Sequence, residues 1–184
     1  MAAPDPNNVL RIGGRVSLDP SNFSAAWPYG GTALGTAFSA AFAINSDSSE
    51  IDRVGRDEPH DILYRGESPR LSAVFSEWSD DLTDLFPNAK TGGSGSKMLS
   101  GGQIRAGALL SAKAAVILFS PFDETQFGFI ALHRALPVLD LTGDIRLGFT
   151  EHALYQVTWV GIAAANGKTY SMGLKADVQS ELGL

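Results

Sequence analysis

Apolar and polar residues alternate along most of this chain, and the period changes in one place. The stretch SPRLSAVFSEWSDDLTDLFP at 68–87 begins as a strand, with Leu71, Ala73 and Phe75 on one face and Arg70, Ser72 and Val74 on the other. Trp78, Leu82, Leu85 and Phe86 then fall at i, i+4, i+7 and i+8, one face of a short helix over 76–87. Ser76 or Ser79 can cap it, Glu77, Asp80 and Asp81 suit the positive end of its dipole, and Pro87 stops it. It is the one convincing helix in the pattern, and an amphipathic helix needs a sheet to cover.

The rest reads as strands and turns. Residues 1–8 form an extended arm. Val9–Leu18, with apolar Leu10, Ile12 and Val16 and a break at Gly13-Gly14, is a strand with a bulge or two short strands. A loop over 21–35 contains Trp27, Pro28 and Tyr29, and Thr36–Ile44 is a small-residue strand with Phe38, Ala40, Phe42 and Ile44 on one face. Residues 45–67 are polar and charged and predict a long hairpin or excursion. Asn88–Gln103 is a flexible Gly/Ser loop by composition. Strands follow over Arg105–Ser120, Gln126–Val138, Asp144–Phe149 and Ala153–Ile162. Asn166-Gly167 is a hairpin signal leading to Thr169–Leu174, and the polar tail from Lys175 is a short helix or an arm. The order predicts a single domain over 1–184, mostly β and antiparallel, a β-sandwich or barrel with one flanking helix. The pattern shows no βαβ alternation and no internal repeat.

Composition agrees. Glycine is abundant (20 of 184 residues) and charged residues make up 18 %, as in a turn-rich β protein. The chain has no cysteine, which excludes disulfides and thiolate metal sites. Fourteen basic and 20 acidic residues give a net charge of −6, so gripping a phosphate backbone is disfavoured; letting DNA slide past is not. MAAPDPNNV has neither the basic nor the apolar region of a signal peptide, and apolar runs such as Ala114–Phe119 are too short to span a bilayer, so no membrane partner is expected.

Candidate chemistry is sparse. GGSGSKM at 92–98 lacks the Gly-Lys-Ser/Thr order of a phosphate loop and precedes a strand rather than a helix. His60, His133 and His152 are not paired at metal-ligand spacing, and the neighbours Glu151 and His152 would point to opposite faces of a strand. Gly93-Ser94-Gly95 lacks the strand–turn–helix context of a nucleophile elbow. The Asp140 and Asp144 loop does not match calcium-loop spacing. The expectation is no enzyme, no catalytic residue, no metal and no cofactor.

The charged excursion has two readings, a solvated loop or an inter-subunit clasp. In the second, Arg53, Arg56, Asp57 and Glu58 pair across a contact while Ile51, Val54 and Leu63 supply most of the affinity. The Ala- and Gly-rich strands at 36–44 and 105–120 suit close packing in a core, packing against another subunit, or a smooth surface.

Several segments together resemble the tail tube proteins of tailed bacteriophages. They are the early strand with its Gly pair, WPYGGTALG at 27–35, the excursion ahead of SEWSDDLTDLFP, and the late block QFGFIALHRALPV, DIRLGF and LYQVTWVGIAAANGKTYSMG. The resemblance implies a virion structural protein whose six copies form a ring, the inner sheets joining into one barrel. Rings stack into a tube through which DNA passes without specific binding, with 45–67 reaching a neighbouring ring. It further implies other tail proteins as partners, assembly in the host cytoplasm and residence in the virion. A neck or tail-terminator ring protein and a capsid decoration protein remain open, as does a small β-barrel ligand-binding module.

Overall fold

The computed structural model describes residues 13–52, 59–75, 77, 79–101, 109–138 and 155–184. In chain order these form strands Gly14–Leu18 (β1), Thr32–Asp52 (β2) and Pro59–Phe75 (β3), and then helix Asp80–Asp84 (α1). A short pair, Ala89–Thr91 (β4) and Lys97–Leu99 (β5), follows. Ala115–Pro121 (β6), Phe129–Val138 (β7), Tyr155–Gly161 (β8), Tyr170–Gly173 (β9) and helix Lys175–Leu182 (α2) complete the order.

The alternation read at 71–75 sets the inside of a barrel. Leu71, Ala73 and Phe75 are fully buried, and opposite them on β8 Val157 and Trp159 are buried too. Phe75 and Trp159 meet edge to face, with centroids 6.0 Å apart. Val16, Ile117, Phe119, Ile130 and Leu132 close the same core from β1, β6 and β7. Burying each large side chain contributes about 1.5–3 kcal/mol. The hydrogen-bonded pairs run in a cycle, β1–β2–β3–β8–β7–β6 and back to β1, every pair antiparallel. Cyclic pairing removes sheet edges within the ring.

β7 makes the closure possible. Residues 115–119 of β6 pair with it on one side, while its residues 135–138 pair with β8 and 129–132 with β9 on the other. β8 and β9 therefore form one line along β7, interrupted between Ile162, whose N–H donates to Arg134 O, and Thr169, whose carbonyl accepts from His133 N–H. The Asn166-Gly167 turn closes that excursion and does not join a β8–β9 hairpin. Its Asn166 side chain accepts from Lys168 N–H at 3.0 Å, and Gly167 takes φ 80°.

A smaller core lies outside the barrel. Phe23 and Tyr29 of the loop before β2 pack on Leu118, Phe129 and Ala131, with Val178 of α2 above them. Tyr29 Oη donates to Glu124 at 2.7 Å, and Lys175 at the start of α2 reaches the same carboxylate at 2.6 Å.

Several expectations change in detail. The flanking helix is shorter than 76–87. Ser79 caps it, accepting from Leu82 N–H at 3.1 Å, while Leu82 and Phe86 are buried and Leu85 packs at their rim. Trp78, the fourth residue of that face, lies outside the described residues, as do 105–108 of the expected Arg105–Ser120 strand and all of 144–149. The polar tail takes the helical alternative, α2. The Gly/Ser loop carries the β4–β5 hairpin, pinned to α1 by Lys97–Asp84 at 2.8 Å. On β2 only Ala40 and Phe42 of the expected face pack on the core. Phe38 is an extra residue between Ala37, opposite Phe75, and Ser39, opposite Val74, and is 62 % exposed.

Gly14 shows how tightly β1 is seated. A Cβ there would lie 2.5 Å from both the Phe119 ring and the Ser120 carbonyl oxygen, whereas one on Gly93 would meet nothing within 4 Å. We expect Gly14→Ala to lose about 1–3 kcal/mol and Gly93→Ala to stay within about 0.5 kcal/mol of the parent in urea unfolding. Equal midpoints for the two variants would refute the close seating of β1.

Candidate assembly surface

The longest pairing in the molecule leaves the barrel. β2 and β3 pair from Ala37 and Phe75 out to Asp52 and Pro59. β1 accompanies β2 only as far as Ala37, and β8 accompanies β3 only from Phe75 to Arg70. Beyond Ala43 and Arg70 the two strands form a ribbon with no third strand among the described residues. Polar residues favour this: Asn45, Ser46, Asp47 and Ser48 on β2 are all exposed. Near its base the ribbon carries a bulge, with Asp47 opposite Gly66, Ser48 opposite Tyr64, and Arg65 extra. Gly66 takes φ 132°, which a side chain would strain.

The predicted clasp residues map onto this arm unevenly. Leu63 stands on β3 and is 48 % exposed. Ile51 is placed on β2 by its backbone pairing with Asp61. Arg53, Val54, Arg56, Asp57 and Glu58 lie outside the described residues. The sequence reading missed Tyr64, which is 58 % exposed beside Leu63. Exposed tyrosine and leucine on a strand without its own core are the signal that was available.

The arm is propped from the side. Thr169 Oγ1, just after the β8–β9 excursion, donates to Glu67 at 2.9 Å. Desolvation, then hydrogen bonding to Glu67, raises the Tyr64 phenol above its ordinary pKa. An open cleft of about 730 Å³ lies between arm and body, lined by Tyr64, Glu67, Lys168, Tyr170 and Glu181 among others. Lys168 and Glu181 form an ion pair there, which pulls the Glu181 carboxyl below its usual range.

A second surface is mostly neutral. The outward face of β2, β3 and β8 presents Ser39, Ala41, Ser72, Val74 and Gln156, with exposed Arg70 at one end and the Ser72 hydroxyl 2.8 Å from that of buried Thr158. Among the described residues no group of three or more His, Cys, Asp or Glu side chains could hold a metal ion. None of the described helices is long and apolar enough to cross a membrane.

No family model and no curated protein matches this chain. Two solved structures are similar in chain course. One is described as the virion of a native gene transfer agent particle, at 11 % identity and TM-score 0.45, covering 92 % of this chain and 98 % of that one. The other is described as the tube-terminating cap of the anti-feeding prophage, at 16 % identity and TM-score 0.47, covering 94 % of this chain and 93 % of that one.

Beneath the cleft His133 is 8 % exposed and hydrogen-bonded to Ser171 at 2.6 Å. Burial, then the Lys168 ammonium, lowers its pKa below the ordinary 6.5, against a smaller opposing effect of Glu181. The unfolded chain therefore binds this proton at higher pH than the folded one. Stability is full above the ordinary value and falls as pH drops from about 6.5 toward the lowered value. We expect urea midpoints to decline over that window and the decline to shrink in His133→Asn; identical slopes would assign the pH response elsewhere.

Proposed function

We propose that this chain is a virion structural protein that builds a phage tail tube from stacked hexameric rings. The observation that carries the reading is the β2–β3 arm. At about 3.3 Å per residue it extends roughly 25–30 Å past the barrel. A two-stranded ribbon of that length, open on both edges, is marginal in water unless another surface covers it. In a head-to-tail contact that closes, each copy's arm is covered by its neighbour, and the result is a ring. Leu63 and Tyr64 supply apolar contact along the arm, and Ile51, Arg53, Val54, Arg56, Asp57 and Glu58 of the same excursion are the further candidate contacts. The resemblance to tail tube proteins supports six copies per ring and contact between rings.

We assign the mostly neutral β2–β3–β8 face to the lumen. Small neutral side chains, with Arg70 alone at one end, on an acidic protein (net −6) give phosphates little to hold, so DNA passes without specific binding. Other tail proteins cap the tube at its ends. The role is non-enzymatic and needs no cofactor or metal. A single terminating or neck ring would use the same arm without stacking.

Negative-stain electron microscopy of concentrated protein tests this. Stacked rings with a central hole are the expected result, single rings favour a terminating or neck protein, and a monomer at all concentrations overturns the assembly reading. Leu63→Asp with Tyr64→Asp is expected to keep the parent's thermal midpoint and lose the rings. Rings that survive it would refute the arm as the contact.

A further inference from the structure

The apex of the excursion between β8 and β9 carries a chemically reactive pair. Asparagine occurs at 7, 8, 22, 45, 88 and 166, and Asn166 alone is followed by glycine. An asparagine amide carbon lies within reach of the next residue's backbone nitrogen, and attack by that nitrogen closes a five-membered ring. A Cβ on the next residue crowds the approach, and glycine has none. Residues 165–168 are all exposed, and a Cβ built on Gly167 would meet nothing within 4 Å, so base and water reach this nitrogen from open solvent.

The turn holds the amide ready. Lys168 N–H donates to Asn166 Oδ1 at 3.0 Å, so a donor already sits on the oxygen that gains charge as a nucleophile adds to Cγ. The restraint is slight. Gly167 N–H donates to Ala164 O at 2.9 Å, a single exposed bond that water replaces when the nitrogen turns toward Cγ. Asn22 supplies the contrast. It too is exposed, and its Oδ1 accepts from Ser24 N–H at 3.0 Å, the same bond from two residues on. Its successor is Phe23, which is 2 % exposed and stacked on Tyr29 with ring centroids 5.1 Å apart. The packed ring fixes the backbone on which that nitrogen sits, and its Cβ crowds the attack. Asn45 is exposed as well, but it precedes Ser46.

We propose that Asn166 is a site of self-modification, converting in the folded chain to aspartate and isoaspartate. Base takes the Gly167 amide proton, the nitrogen bonds to Asn166 Cγ, and the side-chain nitrogen leaves as ammonia, carrying a proton from solvent. Water then opens the cyclic imide at either carbonyl, giving aspartate from one cleavage and isoaspartate from the other. Nothing is oxidised or reduced. Each conversion adds one carboxylate, so the net charge of −6 becomes −7. The new charge stands next to Lys168, which pairs with Glu181 at the cleft, and two residues before Thr169 and its hydrogen bond to Glu67 of the arm comes only Gly167. The isoaspartate form also lengthens the main chain by one carbon, inside a loop whose ends at Ile162 and Thr169 are both held by β7.

The full folded chain, incubated at neutral and at mildly alkaline pH, provides the test. Peptide mapping by mass spectrometry reads amide-to-acid conversion at each asparagine, and isoaspartyl methyltransferase labelling reads the isoaspartate. Asn166 is expected to convert about tenfold or more faster than Asn22 and Asn45, and faster still at the higher pH, where base is more abundant. In Gly167→Ala, with folding checked by the thermal midpoint, conversion at 166 is expected to fall toward the rate at those two positions. Asn166→Gln leaves Gly167 in place and is expected to abolish the methyltransferase signal from this peptide, because the longer side chain would have to close a six-membered ring. Conversion at Asn166 no faster than at Asn22 and Asn45 overturns the proposal. So does conversion seen only in urea, which assigns the reaction to the unfolded chain, and so does a signal that persists in Asn166→Gln.

Discussion

The antiparallel pairing of β7 with β6 on one side and β8 and β9 on the other is the constraint on which the rest depends. It turns a row of strands into a ring, and the ring leaves the molecule few places where a backbone edge is open. Trp159, Phe75 and Leu132 are buried because the wall returns to itself around them. The second small core follows, because Leu118, Phe129 and Ala131 on the outer side of β6 and β7 need cover, and the Tyr29 loop and α2 supply it.

Closure also concentrates what is unfinished. With the barrel edges paired, the described residues leave open edge along β2 past Ala37 and along β3 before Arg70. One part of that edge flanks an apolar groove and the other belongs to a polar ribbon standing in solvent. The two have different chemistry, and the ribbon is the one assigned to a neighbouring copy.

Much of the barrel was legible in the sequence because half-buried strands announce themselves by alternation. Leu71, Ala73, Phe75, Val157 and Trp159 face inward as their spacing predicts. The helix face held at Leu82, Leu85 and Phe86, although only five residues, Asp80–Asp84, have helical pairing. What was not legible depends on contacts between distant segments. Phe38 leaves its expected face because of a one-residue bulge set by register against β3. The Asn166-Gly167 signal gave a turn but not its partner, since β7 rather than β8 holds β9. At the candidate site, charge clustering pointed to the arm, and Leu63 was readable as an apolar residue on it. Tyr64 and the Glu67–Thr169 prop were not, because only the fold brings residue 169 beside residue 67.

The excursion between β8 and β9 has a practical corollary. The chain leaves β7 at Ile162 and returns to it at Thr169 in the same direction and along the same line. Both ends of the departure are anchored by strand pairing, and its turn projects into solvent at Asn166, Gly167 and Lys168. Extra residues introduced between Asn166 and Gly167 lengthen a loop whose closure cost grows only with the logarithm of its length. This is where the protein can carry a grafted epitope or affinity tag without disturbing the order of its strands.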